Sequence, residues 1–338
     1  MTKPIRLAIN GLGRIGRIFL RIAWDNPHFN IVAANSRSDL ATYAHLLKYD
    51  STYGIWDKTV AAKGKNLIID GKSIPFIQET DSSDLPWGKL KADLVLDATG
   101  KYKSRAEAAN HIKAGAKYVV VTAPGHDLES TLVYGVNEKS FDPKKHHVIS
   151  GASCTSICSS LVVKVLEEKF GIERGFINTV HAFTSDQSLQ DSSHKDMRRA
   201  RAATQSIIPT TTGVTQTIDK MFPKLKGKIS GISLRVPVID PSILAFSAQL
   251  KKHVTAQAVN QAFIKSSKTN LKGMLAVSDL PLVSRDYQGN PFGATIDLLS
   301  TEVVDGSLVN VLAWYDNEWG YVSQLTSLLE YITSEIQK

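Results

Sequence analysis

Gly11-Leu12-Gly13-Arg14-Ile15-Gly16 is the feature that most restricts what this chain can become. It follows a short apolar run, Ile5–Asn10, and opens a stretch, 14–24, whose apolar residues recur at helical spacing. A strand that turns through such glycines into a helix is the setting in which G-x-G-x-x-G binds a dinucleotide. Gly11 permits the tight turn, Gly13 lets a pyrophosphate approach the backbone, and Gly16 allows close packing of helix on strand. The helix start, with Arg14 and Ile15, then offers free N–H groups and a positive dipole end to phosphate. The bland alternative is a glycine-rich turn that holds no ligand.

The rest of the first half continues this alternation. Strand-like runs at 30–34, 94–96, 118–121 and 148–150 are interleaved with an alanine-rich helical stretch at 105–114. Such alternation predicts a doubly wound, mostly parallel sheet. The pattern changes after about residue 154. A helix with one buried face is expected over 155–170, closed by Gly171. Longer segments of β character follow at 176–184, 232–239, 244–250, 295–300 and 309–315, and few helices separate the last two. We expect a largely antiparallel sheet there and a final amphipathic helix over 324–336. Residues 185–208 show no clean period, and a stretch that long without structure is often functional.

A chain of 338 residues suits two ordinary domains. Two cysteines cannot build a disulfide framework, and their scarcity fits a reducing compartment. The start runs straight into the first strand, without the basic and apolar regions of a secretory leader. No apolar run nears the ~20 residues of a membrane span. A cytoplasmic location is therefore expected. The net charge of +8 is scattered, which favours anionic small molecules over nucleic acid.

The end of the second strand bears on which dinucleotide binds. An acid about 20 residues beyond the glycines would hold the ribose 2′-hydroxyl of NAD. Ser36 stands there, followed by Arg37, and the first carboxylate is Asp39. A serine and a two-pronged guanidinium suit a 2′-phosphate. NADP is thus the preferred cofactor, with NAD the alternative if Arg37 is only a solvated loop residue.

Cys154 falls between a strand and a helix, where the helix end lowers a thiol's pKa. His181 lies in the next strand-like segment and could serve as its base. No matched His or Cys pair at zinc spacing accompanies Cys154 and Cys158, so no metal is expected.

Further blocks surround this pair. They are Gly-Ala-Ser-Cys-Thr at 151–155, His-Ala-Phe-Thr at 181–184 and Arg-Arg-Ala-Arg-Ala-Ala at 198–203. Ile-Ile-Pro-Thr-Thr-Thr-Gly at 207–213, Arg-Val-Pro at 235–237 and Trp-Tyr-Asp-Asn-Glu-Trp-Gly-Tyr at 314–321 follow. With the glycine turn and Ala-His-Leu-Leu-Lys-Tyr-Asp-Ser at 44–51, they closely resemble the glyceraldehyde-3-phosphate dehydrogenase family over nearly the whole chain. The resemblance implies an α/β Rossmann domain over 1–153 and an α+β catalytic domain over 154–318. A C-terminal helix at about 319–338 would pack back on the first, in a homotetramer.

The resemblance also implies roles. Cys154 would attack the aldehyde and His181 would move the proton. Thr184 and Arg235 would hold the substrate's phosphate; Thr212 and Gly213 would hold the attacking phosphate. Ser153 and Thr155 would flank the nucleophile, and Arg201 would join the anion sites. Asn317 would fix the nicotinamide carboxamide, and Thr99 and Thr122 would line the cofactor site. The chain departs from the family pattern at Ile157, where an amide is usual, at Thr80, where a base is frequent, and at Ser36 and Ser192-Ser193. The last two resemble NADP-using members. Cys158, one helical turn after Cys154, reads as packing or as a redox partner. An erythrose 4-phosphate dehydrogenase and a nucleotide-binding module with weak catalysis are the competing readings.

Overall fold

The computed structural model describes residues 3–338. Its contacts divide the chain into two units. One comprises the chain to Val133, Asn137–Ser153 and Leu325–Lys338; the other comprises Tyr134–Val136 and Cys154–Gln324. Among the described residues no helix is long and apolar enough to cross a membrane.

The first unit is a nine-stranded sheet built outward from Ile5–Asn10. Phe29–Asn35 and then Lys72–Ile77 pair in parallel on one side. Leu94–Asp97, Tyr118–Val121, Val148–Ser150 and Ser130–Thr131 continue in parallel on the other. The chain therefore reverses direction across the sheet at Ile5–Asn10, the switch point where such sheets open a crevice at their strand ends. An antiparallel extension, Asn66–Ile69 and Val60–Lys63, completes the far edge. These strands have four residues each, too short for a periodic signal in the sequence. The expected helix at 105–114 is two short ones, Arg105–Ala108 and Asn110–Lys113, the first opened by a Ser104–Glu107 capping box.

The sheet is held at its crevice end by buried polar groups rather than by apolar packing alone. Asn35 Nδ2 donates to Asn10 Oδ1 at 2.7 Å, and Asn10 Nδ2 donates to Asp97 Oδ2 at 2.7 Å. Trp87 Nε1 donates to His111 Nδ1 at 2.9 Å, so the imidazole proton sits on Nε2, 3.1 Å from Asp97 Oδ2. Asp97, His111 and Trp87 are fully buried. Their bonds tie the ends of three strands, because a buried polar atom left unpaired costs more than it returns.

The second unit is a seven-stranded sheet. Its order is Ile208–Thr210, Ile229–Val236, Ile172–Ala182, Ser242–Leu250, Leu308–Tyr315, Ala294–Val304 and Leu275–Ser278. Two of its pairings are parallel and the others antiparallel. The helix Cys154–Phe170 packs between this sheet and the helices Val214–Met221 and Ala256–Lys268. The sequence predicts one buried face for it, yet Thr155–Val163 are buried all round. Small hydroxyl residues, Ser156, Ser159 and Ser160, permit this because they fit close neighbours.

Glycine geometry at the first turn yields a stability test. A Cβ on Gly16 would overlap the Gly11 carbonyl oxygen, whereas one on Gly13 would meet nothing within 4 Å. Gly16→Ala should therefore cost about 1–3 kcal/mol. Gly13→Ala should stay within about 0.5 kcal/mol of the parent. Urea denaturation of the two variants checks the contrast.

Candidate active site

The glycine turn borders a cleft of about 340 Å³ at the strand ends of the first unit. Gly11 takes φ +99°, and a Cβ there would lie 2.9 Å from the Ala98 and Thr99 backbone. Gly13, Asn35, Ser36, Arg37, Thr80, Thr99 and Lys101 are among the lining residues. The bare backbone at Gly13 and the open helix end, which carries no side-chain cap, fit a pyrophosphate. Ser36 is buried, with Oγ 3.4 Å from the Leu12 N–H. Asp39 does not take the place of the missing acid. Its carboxylate caps the next helix, accepting from Thr42 N–H at 2.9 Å and Thr42 Oγ1 at 2.6 Å. Glu79, also in the lining, accepts from the Thr80 and Asp81 N–H groups of its own turn. Arg37 and Lys101 bring positive charge to this cleft.

Other expected residues fall as follows. The Arg14 guanidinium is turned to Asp50 at 2.5 Å. Thr99 Oγ1 donates to Asp97 Oδ1 at 2.7 Å, and the Thr122 N–H donates to the Asp97 carbonyl at 2.9 Å. Both are thereby tied to the strand-end network.

The nucleophile candidate lies in the second unit. Cys154 is the first residue of its helix, and Ala152 just before it holds φ +57°. That left-handed turn is rare for a residue with a Cβ and kinks the chain sharply. Cys154 Sγ is 3.4 Å from His181 Nε2. His181 arrives from the strand Ile172–Ala182, whose parallel register with Ile229–Val236 sets it beside Arg235. Tyr315, buried and edge-on to the imidazole at 5.9 Å, bonds Thr155 Oγ1 at 3.0 Å and Thr179 Oγ1 at 3.4 Å. Sequence reasoning missed Tyr315; its only signal was its place within the 314–321 block.

His181 Nδ1 has two partners that require different tautomers. It lies 2.7 Å from the Ala182 carbonyl and 2.7 Å from Arg235 Nη1. A guanidinium only donates, so Arg235 bonds Nδ1 when the ring proton is on Nε2, facing the sulfur. The Ala182 carbonyl receives a proton only when Nδ1 carries it, which leaves Nε2 free as a base. Arg235 therefore stands where it can choose the tautomer.

Charge in this site is dominated by burial. Desolvation, with help from Arg235, pushes the His181 imidazole down to about 3. Unfolded histidine titrates near 6.5, so keeping His181 neutral costs stability as pH falls from about 6.5 toward 3. The Cys154 thiol is pushed up by burial, while Arg235 pulls it down. The expected lowering at the helix end is thus outweighed by desolvation. The Arg235 guanidinium is the positive charge that opposes it.

Thr184 Oγ1 bonds the Asp186 carboxylate, which also holds the Arg199 guanidinium; Arg199 Nε donates to Thr210 Oγ1 at 3.0 Å. Arg201 is not in this cluster. It is exposed and pairs with Asp191 at 3.1 Å. The two arginines leave the same turn in different directions, and Arg199 is the one turned inward. Thr212 Oγ1 accepts from the Val214 N–H, and Gly213 opens the helix Val214–Met221, with no atom within 4 Å of the position a Cβ would take. Ser153 directly precedes the nucleophile. Asn317 is buried; its N–H donates to Asp240 Oδ1 at 3.1 Å and its Oδ1 accepts from Ser242 Oγ at 2.7 Å. Ile157 fills space against Gly293, and Cys158 is fully buried near the Ala313 carbonyl, its thiol pushed well up. Both facts favour packing for these two residues.

Family models match both halves of the chain. Residues 5–105 match the glyceraldehyde 3-phosphate dehydrogenase NAD binding domain, and residues 153–317 match the C-terminal domain of the same family. The chain belongs to the glyceraldehyde-3-phosphate dehydrogenase family. It is a nicotinamide-dependent oxidoreductase of that type. It is 48% identical over 331 residues to a glyceraldehyde-3-phosphate dehydrogenase of Geobacillus stearothermophilus, covering 98% of this chain and 99% of the relative. A glyceraldehyde-3-phosphate dehydrogenase 2 of Bacillus subtilis is 47% identical, with 98% of each chain covered. One from Priestia megaterium is 46% identical over 98% of this chain and 99% of its own length. These names favour the family's own activity over the erythrose 4-phosphate and weak-catalysis readings.

Replacing Arg235 separates its two electrostatic effects. Arg235→Gln should raise the pH midpoint of Cys154 alkylation by iodoacetamide. It should also move the His181 imidazole up from about 3, though not to its ordinary value, because burial remains. Alkylation rates against pH and the imidazole resonances in NMR measure the two shifts.

Proposed function

We propose that this protein oxidises glyceraldehyde 3-phosphate to 1,3-bisphosphoglycerate through a thioester on Cys154, and prefers NADP to NAD. The observation that carries the reading is the Cys154–His181–Arg235 arrangement, with Thr184 and Arg199 beside it.

The residues act in sequence. The substrate's phosphate takes Arg235 and Thr184, drawing the guanidinium from Nδ1. His181 then donates Nδ1–H to the Ala182 carbonyl and turns a free Nε2 to the sulfur. Nε2 takes the thiol proton as the sulfur attacks the aldehyde carbon, and returns it to the oxygen that the opening carbonyl bond leaves negative, which gives a hemithioacetal. Nε2 takes the hydroxyl proton as the carbon–oxygen double bond forms. The nicotinamide, when bound, supplies the hydride acceptor. The imidazolium and the N–H groups at the start of the Cys154 helix stabilise charge on the carbonyl oxygen. A phosphate oxygen next attacks the thioester carbon, and the carbon–sulfur bond breaks to return the thiolate. Thr212, Gly213 and Arg199 are read as the site of that phosphate, Arg199 taking the place expected of Arg201. Ser153 and Thr155 flank the sulfur, and Asn317 is read as a carboxamide contact.

For the cofactor, Gly11, Gly13, Gly16, Thr99 and Thr122 form the holding frame. Support for NADP comes from the cleft's chemistry: Ser36 and Arg37 stand where an acid would exclude a 2′-phosphate, and Asp39 is occupied as a helix cap. A homotetramer fits the exposed apolar Leu189, Met197 and Ile207 of the irregular segment, which a neighbouring copy would cover.

Two measurements test the reading. Cys154→Ala should abolish phosphate-dependent turnover while cofactor binding persists, and His181→Asn should lower kcat by about 10²–10⁴. Acid formation without a phosphate requirement would overturn the phosphorylating assignment. Arg37→Ala should reduce kcat/KM for NADP⁺ about tenfold, or ~1.4 kcal/mol, and leave NAD⁺ nearly unchanged. Equal losses with both cofactors would sink the 2′-phosphate clamp.

A further inference from the structure

Behind His181 lies a pair of buried carboxyls that the chemistry above does not use. Asp240 is 5% exposed and Asp316 1%. They are hydrogen-bonded to each other. Two carboxylates are both acceptors, so that bond requires a proton on one of them. The surrounding donors decide which. Asp316 accepts three backbone N–H bonds: from Glu318 at 2.9 Å and Trp319 at 2.6 Å to Oδ1, and from Gly289 at 2.7 Å to Oδ2. That set suits an ionised group. Asp240 accepts the Asn317 N–H at 3.1 Å.

From Asp240 a series of contacts, joined through Asn317 and Ala182 themselves, leads to the catalytic histidine. Asn317 Oδ1 accepts from Ser242 Oγ at 2.7 Å, and Ser242 Oγ accepts the Ala182 N–H at 3.0 Å. The Ala182 carbonyl is the one that His181 Nδ1 meets at 2.7 Å. The charged or titratable groups facing Asp240 are Asp316 and Glu318, from the turn that carries Asn317, and Cys154, from the helix start.

We propose that Asp240 keeps a proton, shared with Asp316, and acts as a positioning residue that closes this series of contacts to His181 and withholds negative charge from Cys154. Its carboxyl is raised to about 9, first by burial and then by Asp316. The sign follows from linkage. The unfolded carboxyl titrates near 3.9, so holding the proton in the native state makes stability fall as pH rises from about 4 to about 9. Above that range Asp240 ionises, and its charge opposes formation of the Cys154 thiolate. The proposal concerns this chain's own residues and does not depend on which cofactor binds.

Asp240→Asn supplies a permanent donor to Asp316 at nearly the same shape, and its effects can be read without turnover. Melting temperatures of parent and variant should converge near pH 5. By pH 8.5 the variant should melt higher by about 3 °C or more. Alkylation of Cys154 should follow a broad pH curve in the parent, because Asp240 and the thiol titrate against each other, and a one-proton curve with a lower midpoint in the variant. Asp316→Asn should lower the melting temperature at every pH, since an amide cannot accept all three N–H bonds. Parallel melting curves for parent and Asp240→Asn across pH 5–9 would overturn the shared proton. Tolerance of Asp316→Asn together with loss of Asp240→Asn would place the proton on the other residue and overturn the assignment.

Discussion

The 3.4 Å contact between Cys154 Sγ and His181 Nε2 depends on a helix whose first turns are buried on every side. A helix end exposed to water would solvate its own N–H groups and let the thiol wander. Here Thr155–Val163 are enclosed, and Ala152 turns the chain through a left-handed conformation just ahead of the sulfur. The imidazole is placed just as firmly, on a strand whose register with Ile229–Val236 sets Arg235 beside it. Each remaining group of the site is arranged around these two fixed points.

That enclosure has an electrostatic consequence. Burial pushes the thiol up and the imidazole down, so neither is charged by default in the resting site. Arg235 is the countercharge that favours a thiolate, and its contact with Nδ1 suits the imidazole tautomer whose proton is on Nε2. One guanidinium thereby bears on both the sulfur and the imidazole. Asp186 is gripped by Thr184 and Arg199 in the same neighbourhood. Asp240 and Asp316 extend the burial inward as a pair of enclosed acids.

The cofactor unit solves a different problem. Its glycine turn exposes backbone, and exposed backbone is soft. Rigidity comes from below, where Asn10, Asn35, Asp97, His111 and Trp87 join three strand ends through buried hydrogen bonds. Thr99 and the Thr122 backbone hang from the same Asp97. The cleft can therefore present uncapped N–H groups without losing its shape.

Much of this was legible in the residues themselves. The glycine spacing, the strand–helix alternation, the absence of an acid at Ser36 and the place of Cys154 at a helix start are local patterns, and local sterics and periodicity set them. The family resemblance added Arg235 and Thr184 through blocks of sequence. What stayed hidden was whatever depends on partners far apart in the chain. Arg199 and Arg201 differ by two positions, and only the turn between them sends one inward and the other to Asp191. Asp240 and Asp316 are ordinary surface acids until the fold buries them together. The direction of the Cys154 shift was likewise beyond reach, because a helix end can be named from sequence but the desolvation that outweighs it cannot. Sequence alone determined which chemistry the chain carries; the tertiary structure decided which groups are charged while it waits, since charge depends on burial and burial on the packing of distant segments.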